Sequence, residues 1–301
     1  MASPSLPLDM LSTIVEIGSF SRNELCIISS ASPHLRYEAQ HRLFRDPGRQ
    51  VINVVADPNK LVTARLFLQA IISSPDRLAL MVRQYHVRAL WYNFAGKEKK
   101  KTLEKQRKMQ IIVFNRLSRG LPLMRNLTVL QLYTDRSVWT RYKPVRPPSI
   151  SSILKRCTFR LEVLRWSYRD DTGLKDREIV KHILCNQQDL KELWVDEIRR
   201  PRVRSNIAEP RDIFQNICPS VVSVGGMPGI IIGMLLEGRR LQHICWEGSW
   251  FEQDYDLPQT AHFRSVEFVE NLAGGPSLRV ICAAFRNLVL LKTGRTEVLE
   301  V

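Results

Sequence analysis

The chain has 301 residues, 44% of them hydrophobic, so it can bury a substantial core in one large domain or in a small domain joined to a larger one. Its formal net charge of +15 favours acidic or polyanionic partners but does not specify a fold. The six cysteines form no CxxC pair, which argues against a zinc site or a disulfide framework. We therefore expect a reducing location, cytoplasmic and/or nuclear.

A membrane partner is not expected from the sequence. The longest charge-free stretch runs from residue 213 to residue 236 and contains the segment IIIGMLL. Proline and glycine residues interrupt it, and the apolar part is shorter than the roughly 20 residues that cross a bilayer. The stretch is therefore interpreted as buried in the protein.

The first predicted elements are two short apolar helices separated by a polar break, within SPSLPLDMLSTIVEIGSFSRNELCIISSAS at residues 3 to 32. Pro7 fixes the entry to the first helix, because proline is well suited to a helix start. The segment is too short to fold alone and too apolar for the small core that it could form. We expect it to be one half of an interface.

This N-terminal pattern resembles the F-box, a three-helix module. Residues 6 to 14 read LPLDMLSTI, and the LFR within AQHRLFRD at residues 39 to 46 is similar to the LFR that ends the F-box module in many fungal receptors. The resemblance covers residues 4 to 48 and departs from the family pattern at Ser30, Pro33 and Leu35. A helical hairpin that matches by coincidence is the alternative.

The resemblance implies that apolar side chains stay uncovered until a Skp-type adaptor packs over them. The residues carried over as adaptor contacts are Leu6, Pro7, Leu11, Ile14, Leu25, Ile28 and Leu35.

After residue 48 we predict linking helices at residues 49–84 and a repeat array at 85–301, following the F-box-like module at 1–48. Each repeat contains a short phrase with apolar residues at positions 1, 4 and usually 6. The phrases begin at Val87, Leu127, Leu161, Leu190, Val221, Leu241, Phe263 and Leu288.

Segments with helical spacing of apolar residues lie between these phrases, so each repeat is predicted to be a helix, a turn and a strand. Stacked repeats would bury both apolar faces and form a solenoid. The L-x-x-L-x-L phrase resembles the strand half of a leucine-rich repeat. The predicted fold class is therefore α/β: a three-helix F-box, then an irregular leucine-rich-repeat solenoid with a concave parallel sheet and convex helices. A mixed α/β domain of another topology is the main alternative.

Four of the six tryptophans fall in the phrases, at two different positions. Trp91 and Trp194 occupy position 5, whereas Trp166 and Trp246 occupy position 6, and the strand period of two places the pairs on opposite faces. If position 6 faces the core, position 5 faces a ligand, and aromatic residues are common anchors of protein interfaces. The candidate target-binding residues are Trp91, Gln131, Arg165 and Trp194.

Two basic runs, at residues 97–108 and 199–204, are interpreted mainly as solvated surface. No catalytic residue, metal ligand or cofactor site is predicted, because the histidines are scattered and no nucleotide-binding or nucleophile motif is present. Cys157, Cys185 and Cys218 are expected to be buried at the ends of helices, as small apolar side chains.

The sequence hypothesis is a substrate receptor, not itself an enzyme, of a Skp–cullin–F-box ubiquitin ligase within the cullin–RING class. The F-box would bind the adaptor, and the repeats would bind a target protein. If basic residues of the receptor contact that target, an acidic or phosphorylated target is favoured. The alternatives are a leucine-rich-repeat scaffold without a ligase role, and a basic nucleic-acid-binding protein. Nucleic acid is the less expected partner, because no recognised module accompanies the charge.

Overall fold

The computed structural model describes residues 7–53, 58–90, 100–135, 153–168, 183–197, 217–226, 231, 233–235, 239–247, 261–273, 278–293 and 298–300. Three helices come first, in the segment that resembles an F-box: α1 (Leu8–Ile17), α2 (Arg22–Ala31) and α3 (Arg36–Arg45).

Local sequence sets the limits of these helices. α1 follows Pro7, and α2 begins with a capping box in which Ser21 and Glu24 each bond the other's backbone N–H. α2 ends two residues before Pro33, which cannot continue a helix because it has no N–H.

A small core holds the three helices together. Val15, Leu25 and Ala39 contribute one buried side chain from each helix. Arg42 Nη1 of α3 donates a hydrogen bond of 2.8 Å to the carbonyl of Val15 and another to the carbonyl of Gly18 at the end of α1. These bonds satisfy carbonyls at a helix C-terminus that have no partner within the helix.

Helices and strands follow in the rest of the chain. The strands are β1 (Arg49–Asn53), β2 (Gln84–Leu90), β3 (Val129–Asp135), β4 (Val163–Tyr168), β5 (Glu192–Glu197), β6 (Ser223–Gly226), β7 (His243–Glu247), β8 (Phe268–Ala273), β9 (Leu290–Thr293) and β10 (Val298–Glu300). The helices are α4 (Pro58–Ser73), α5 (Leu78–Met81), α6 (Lys100–Gly120) and α7 (Leu278–Ala284), with 3-10 turns at Leu121–Leu123 and Ala261–Ser265.

The strands form a single sheet in which the spatial order is the chain order, β1 to β10. Neighbours from β1 to β9 are parallel, and β10 pairs antiparallel with β9. One parallel strand per repeat, stacked in chain order, is the arrangement of a solenoid. The predicted combination of parallel sheet and helices is confirmed. β1 was not predicted, because it lies in the segment 49–84 for which only helices were expected, and the domain limits at 48 and 84 stay predictions.

The repeat positions explain the core. Positions 1, 4 and 6 of the β3 repeat are Leu127, Leu130 and Leu132, and all three are fully buried. Corresponding residues of neighbouring strands are aligned with them, such as Leu164 with Leu130 and Trp166 with Leu132. The buried faces of α4 and α6 belong to the same core. The helices therefore cover the sheet face that carries positions 4 and 6.

Two phrases were predicted in the wrong frame. Tyr85 and Val87 pair with Leu130 and Leu132, so the first phrase runs from residue 82 to 87 and does not begin at Val87. Val269 pairs with Ile244, so the later phrase begins at Val266 and not at Phe263. Both segments contain extra apolar residues, and the 1-4-6 pattern can therefore be read in more than one frame.

The predicted burial of three cysteines is only partly right. Cys218 is buried and Cys157 half-buried, and burial raises the pKa of each thiol to about 12. Thiols in this state are protonated at neutral pH and behave as apolar packing groups. Cys185 is exposed, and the prediction that it is buried is wrong.

Hydrogen bonds tie successive repeats together just before each strand. The N–H of Thr128 donates to Arg83 O at 2.9 Å, and the N–H of Glu162 donates to Thr128 O at 2.8 Å. The N–H of Lys191 donates to Glu162 O at 2.8 Å, and equivalent bonds continue from repeat to repeat as far as β9. We call this series of backbone bonds the ladder. The repeats are therefore joined by backbone bonds as well as by apolar packing.

Gln187 adds a side-chain bridge between two repeats. It is 4% exposed, its Oε1 accepts from the N–H of Leu161 at 2.7 Å, and its Nε2 donates to Phe159 O at 3.1 Å. The buried amide thus satisfies two backbone groups of the preceding repeat, and such groups are costly to leave unpaired.

The three-helix unit is joined directly to the array. The N–H of Arg83 donates to Arg45 O, at the end of α3, at 2.9 Å. The rings of Phe44, Phe67 and Tyr85 stack in sequence with centroid separations of 5.6 Å and 5.6 Å. The end of α3 therefore occupies the place of a preceding repeat in the hydrogen-bond ladder.

Replacing Gln187 with Ala should lower the free energy of unfolding by about 2 to 3 kcal/mol, because two buried backbone groups lose their partner. The measurement is the urea-unfolding midpoint followed by circular dichroism. The neighbouring Gln188 is exposed, and Gln188→Ala is the matched control, with an expected change below about 0.5 kcal/mol. Equal effects of the two substitutions would contradict the bridging role of Gln187.

Candidate functional site

The face of the sheet opposite α4 and α6 carries positions 3 and 5 of each repeat, and we call it the open face. Most side chains at positions 3 and 5 are half-buried or exposed. They alternate along each strand with the buried side chains at positions 4 and 6, as expected for opposite faces of a sheet. The open face corresponds to the surface that the sequence predicted to be concave and ligand-binding.

Three of the four predicted target-binding residues lie side by side on the open face. Gln131 pairs with Arg165, and Arg165 pairs with Trp194, in one row across β3, β4 and β5. Trp91 lies outside the described residues. In the corrected frame, position 5 of β2 is His86, which pairs with Gln131. Whether the row binds a target stays a prediction.

Arg165 is the centre of a polar and aromatic cluster. Its Nε lies 2.5 Å from Oε1 of Glu192, and its Cζ lies 5.5 Å from the centroid of the Trp194 ring. Burial acts to lower the pKa of Arg165, but the hydrogen bond and charge of Glu192, together with Tyr133, raise the pKa above its ordinary value. The guanidinium is therefore a permanent cation that is already neutralised by a neighbour and stacked on an aromatic ring.

Gly225 makes room for the Trp194 ring on its other side. A Cβ at Gly225 would lie 2.6 Å from Cε3 and 2.9 Å from Cδ2 of Trp194. The indole therefore covers the backbone of β6, between Arg165 and Gly225. A half-buried tryptophan held on both sides loses little conformational freedom on binding, which is the property of an interface anchor.

His243 occupies position 3 of β7 on the same face. Its Nδ1 lies 3.0 Å from Ser223 Oγ, and its ring lies 4.5 Å from the ring of Phe268. No described residue is within hydrogen-bond distance of the buried Nε2. Burial lowers the pKa of His243, although the carboxylates of Glu270 and Glu192 act in the opposite direction. The neutral imidazole is therefore favoured.

A second charged group lies towards the C-terminal end of the row. Glu270 accepts from Cys245 Sγ at 3.3 Å and lies 3.3 Å from Lys292 Nζ. Each open-face carboxylate described here, Glu192 and Glu270, thus has a basic partner on the adjacent strand. The open face combines neutralised charges with the rings of Trp194, His243 and Phe268, a surface suited to contact with another protein.

Among the described residues, no group of three or more histidine, cysteine, aspartate or glutamate side chains is arranged to hold a metal ion. None of the helices in the described ranges is long and apolar enough to cross a bilayer.

The second candidate surface is on α1. Met10, Ile14 and Ile17 are 56%, 44% and 76% exposed, and their spacing of four and three residues places them on one side of the helix. We call these three residues the α1 stripe. Exposed apolar residues grouped in this way are typical of an unoccupied interface.

The predicted adaptor contacts have different surroundings. Pro7 and Ile14 are exposed, and Leu11, Ile28 and Leu35 are half-buried. Leu25 is not on the surface, because it is 4% exposed in the core of the three-helix unit, and Leu6 lies outside the described residues. The predicted contacts were chosen because they match the F-box motif, and that motif contains both core residues and surface residues. The i, i+4, i+7 spacing of Met10, Ile14 and Ile17 was the signal that could have identified the stripe.

No family model matches this sequence. No curated protein matches it. Among solved structures, the chain is similar to the leucine-rich repeat-containing protein LegL7 from Legionella pneumophila, with 14% sequence identity and a TM-score of 0.42. The alignment covers 78% of this chain and 74% of that chain. The solenoid architecture described above rests on the strand order and register of this chain itself.

Substituting Gly225 with Ala should destabilise the protein by about 1 to 3 kcal/mol, because the new methyl group overlaps the Trp194 ring. The measurement is a double-mutant cycle in urea with Trp194→Ala. When the ring is absent, the cost of Gly225→Ala should fall below about 0.5 kcal/mol, since contacting residues are not additive. Additive effects would show that the ring does not rest on Gly225.

His243 should make the protein less stable in acid. The histidine has a lowered pKa in the folded state, so the unfolded chain takes up the proton first as the pH falls below about 6.5. The urea concentration at the unfolding midpoint should decrease between pH 7 and pH 5, and His243→Asn should make this decrease smaller. The exposed His34→Asn control should show the same decrease as the wild type. If the His243 variant and the wild type show the same decrease, His243 is not the source of the acid sensitivity.

Proposed function

We propose that this protein is a substrate receptor of a Skp–cullin–F-box ubiquitin ligase. In this proposal the α1 stripe and its neighbours bind a Skp-type adaptor, the open face binds a target protein, and other subunits transfer ubiquitin. The observation that carries the proposal is the exposed α1 stripe, on a three-helix unit whose sequence resembles an F-box. A cytoplasmic and/or nuclear location belongs to the same proposal.

The physical argument begins with the apolar area that the three-helix unit leaves uncovered. Ile14 and Ile17 are two of the large hydrophobic residues exposed on α1, and Ile27 of α2 is 65% exposed. Burying apolar area stabilises a complex by roughly 25 cal/mol per Å². A partner with a complementary apolar groove would therefore gain affinity here without any change in the core of Val15, Leu25 and Ala39.

The attachment of the three-helix unit supports a receptor role. Because Arg45 O accepts the ladder bond from Arg83 N, the unit continues directly into the sheet. A target on the open face would then be held at a fixed distance and orientation from the adaptor. Fixed geometry raises the effective concentration of target lysines near the conjugating enzyme, which is how a receptor without chemistry increases a rate.

The open face supports a protein target, but its charges are already neutralised. Arg165 is paired with Glu192, and Lys292 with Glu270. The neighbourhood of Trp194 therefore offers an aromatic anchor and not a free cation for phosphate. An acidic or phosphorylated target stays a prediction from net charge alone.

The α1 stripe is tested with a purified Skp-type adaptor and the full chain carrying Ile14→Glu and Ile17→Glu. We expect adaptor affinity to fall at least about tenfold, because an unpaired carboxylate in an apolar interface is costly. Both residues are exposed, so the fold should be retained and is checked by circular dichroism.

The matched control is Val289→Glu, an apolar-to-acidic change at a 63% exposed position of the repeat array. It should bind the adaptor as the wild type does. If the wild type shows no adaptor binding, or if the stripe variant binds as well as the control, the ligase role fails. A target captured by the array without the adaptor would then support the scaffold function.

A further inference from the structure

The turns that precede the strands carry basic residues in each repeat from β2 to β9 except that of β6. In each repeat from β2 to β9 we consider three places, namely the two residues before position 1 and the one residue after position 1. In the β3 repeat, for example, these are residues 125, 126 and 128. Among these residues only Arg239 is a half-buried cation, and the other cations are exposed. The basic residues at these places, which we call the basic ridge, are Arg83, Arg125, Arg160, Lys191, Arg239, Arg240, Arg264 and Arg286.

The register places the ridge along one flank of the solenoid. The residues after position 1 are joined by the backbone ladder that includes Arg83, Thr128, Glu162 and Lys191. Equivalent turns are therefore stacked at the strand separation of about 4.8 Å, and the seven steps from β2 to β9 span roughly 34 Å. The basic ridge is distributed over some 200 residues of sequence, so no charge run in the sequence reveals it.

The ridge keeps a clear excess of positive charge. The same places in the repeats contain three acidic residues, Glu162, Asp189 and Glu267, against eight basic ones, a formal charge of +5. Arg160 lies 3.9 Å from Asp189, and Lys191 lies 3.1 Å from Glu162. Both pairs are exposed, and exposed pairs are weak enough for a stronger anion to replace them.

We infer that the basic ridge binds the phosphate backbone of double-stranded DNA without sequence specificity. A row of cations is sufficient for this, since displaced counterions supply most of the affinity. A span of roughly 34 Å is close to one turn of the double helix. Seven of the eight ridge cations are arginines, whose planar guanidinium suits phosphate oxygens.

Other polymers fit the ridge less well. No described residue at these places is an exposed aromatic, because Phe159 is buried. Single-stranded nucleic acid is usually held by aromatic side chains that stack on its bases. Protein interfaces likewise depend on aromatic anchors, which are found on the open face and not here. The ridge is also separate from the α1 stripe, so this inference does not depend on the ligase proposal.

The test is fluorescence anisotropy of a labelled DNA duplex of about 20 base pairs, roughly two helical turns, titrated with the full chain. Salt is varied from about 50 to 200 mM. The ridge variant and the control variant each replace four exposed cations with Gln and so have the same net charge. The ridge variant carries Arg125→Gln, Arg160→Gln, Arg240→Gln and Arg264→Gln. The control variant carries Arg36→Gln, Lys60→Gln, Lys108→Gln and Arg119→Gln.

We expect the ridge variant to lose at least about tenfold in affinity near 100 mM salt, and its slope of log K against log salt to shrink by about 2 to 4. The control variant should stay within about threefold of the wild type. Equal losses in the two variants, or no wild-type binding at physiological salt, would overturn the inference. Displacement of the duplex by poly-glutamate at the same charge concentration, or tighter binding of single-stranded DNA, would also overturn it. Adaptor binding by the ridge variant should be unchanged.

Discussion

The strands of this solenoid carry apolar residues that helices such as α4 and α6 and the neighbouring strands must cover, and this requirement organises the part of the chain that the structure describes. It fixes positions 1, 4 and 6 as buried residues, such as Leu127, Leu130 and Leu132 in the β3 repeat. It also leaves positions 2, 3 and 5 outside the core. Most side chains at those positions are half-buried or exposed, so they can form surfaces for a partner, although Gly225 at position 5 of β6 is limited by its contact with Trp194.

The tryptophans show how strictly this constraint acts. Trp166 and Trp246 at position 6 are almost completely buried, whereas Trp194, one position earlier in its phrase, lies on the open face. A shift of one residue changes the face of a strand and therefore the role of the side chain. The open-face indole then needs its own support, which Arg165 supplies on one side and the missing side chain of Gly225 on the other.

Much of this arrangement could be predicted from the sequence, because apolar spacing reports burial directly. The strands from β3 to β7 and the row of Gln131, Arg165 and Trp194 follow from the 1-4-6 pattern. The frame failed at Tyr85, where consecutive apolar residues fit the pattern more than once. Strand β1 was missed because it is short and its pairing with β2 depends on residues distant in sequence. The α1 stripe was obscured by a family motif that combines core and surface positions.

The continuity between the helical unit and the sheet sets how the surfaces of the protein relate to one another. The ladder bond from Arg83 to Arg45 and the stack of Phe44, Phe67 and Tyr85 join the end of α3 to the start of β2 by a hydrogen bond and by packing. A partner on α1 and a partner on the open face would therefore be attached to elements that are in direct contact through α3 and β2. The α1 stripe lies on the three-helix unit, the open face carries repeat positions 3 and 5, and the basic ridge lies in the turns before the strands, so the three surfaces share no residue. The stacking that buries positions 1, 4 and 6 thus leaves the open face and the basic ridge outside the shared core.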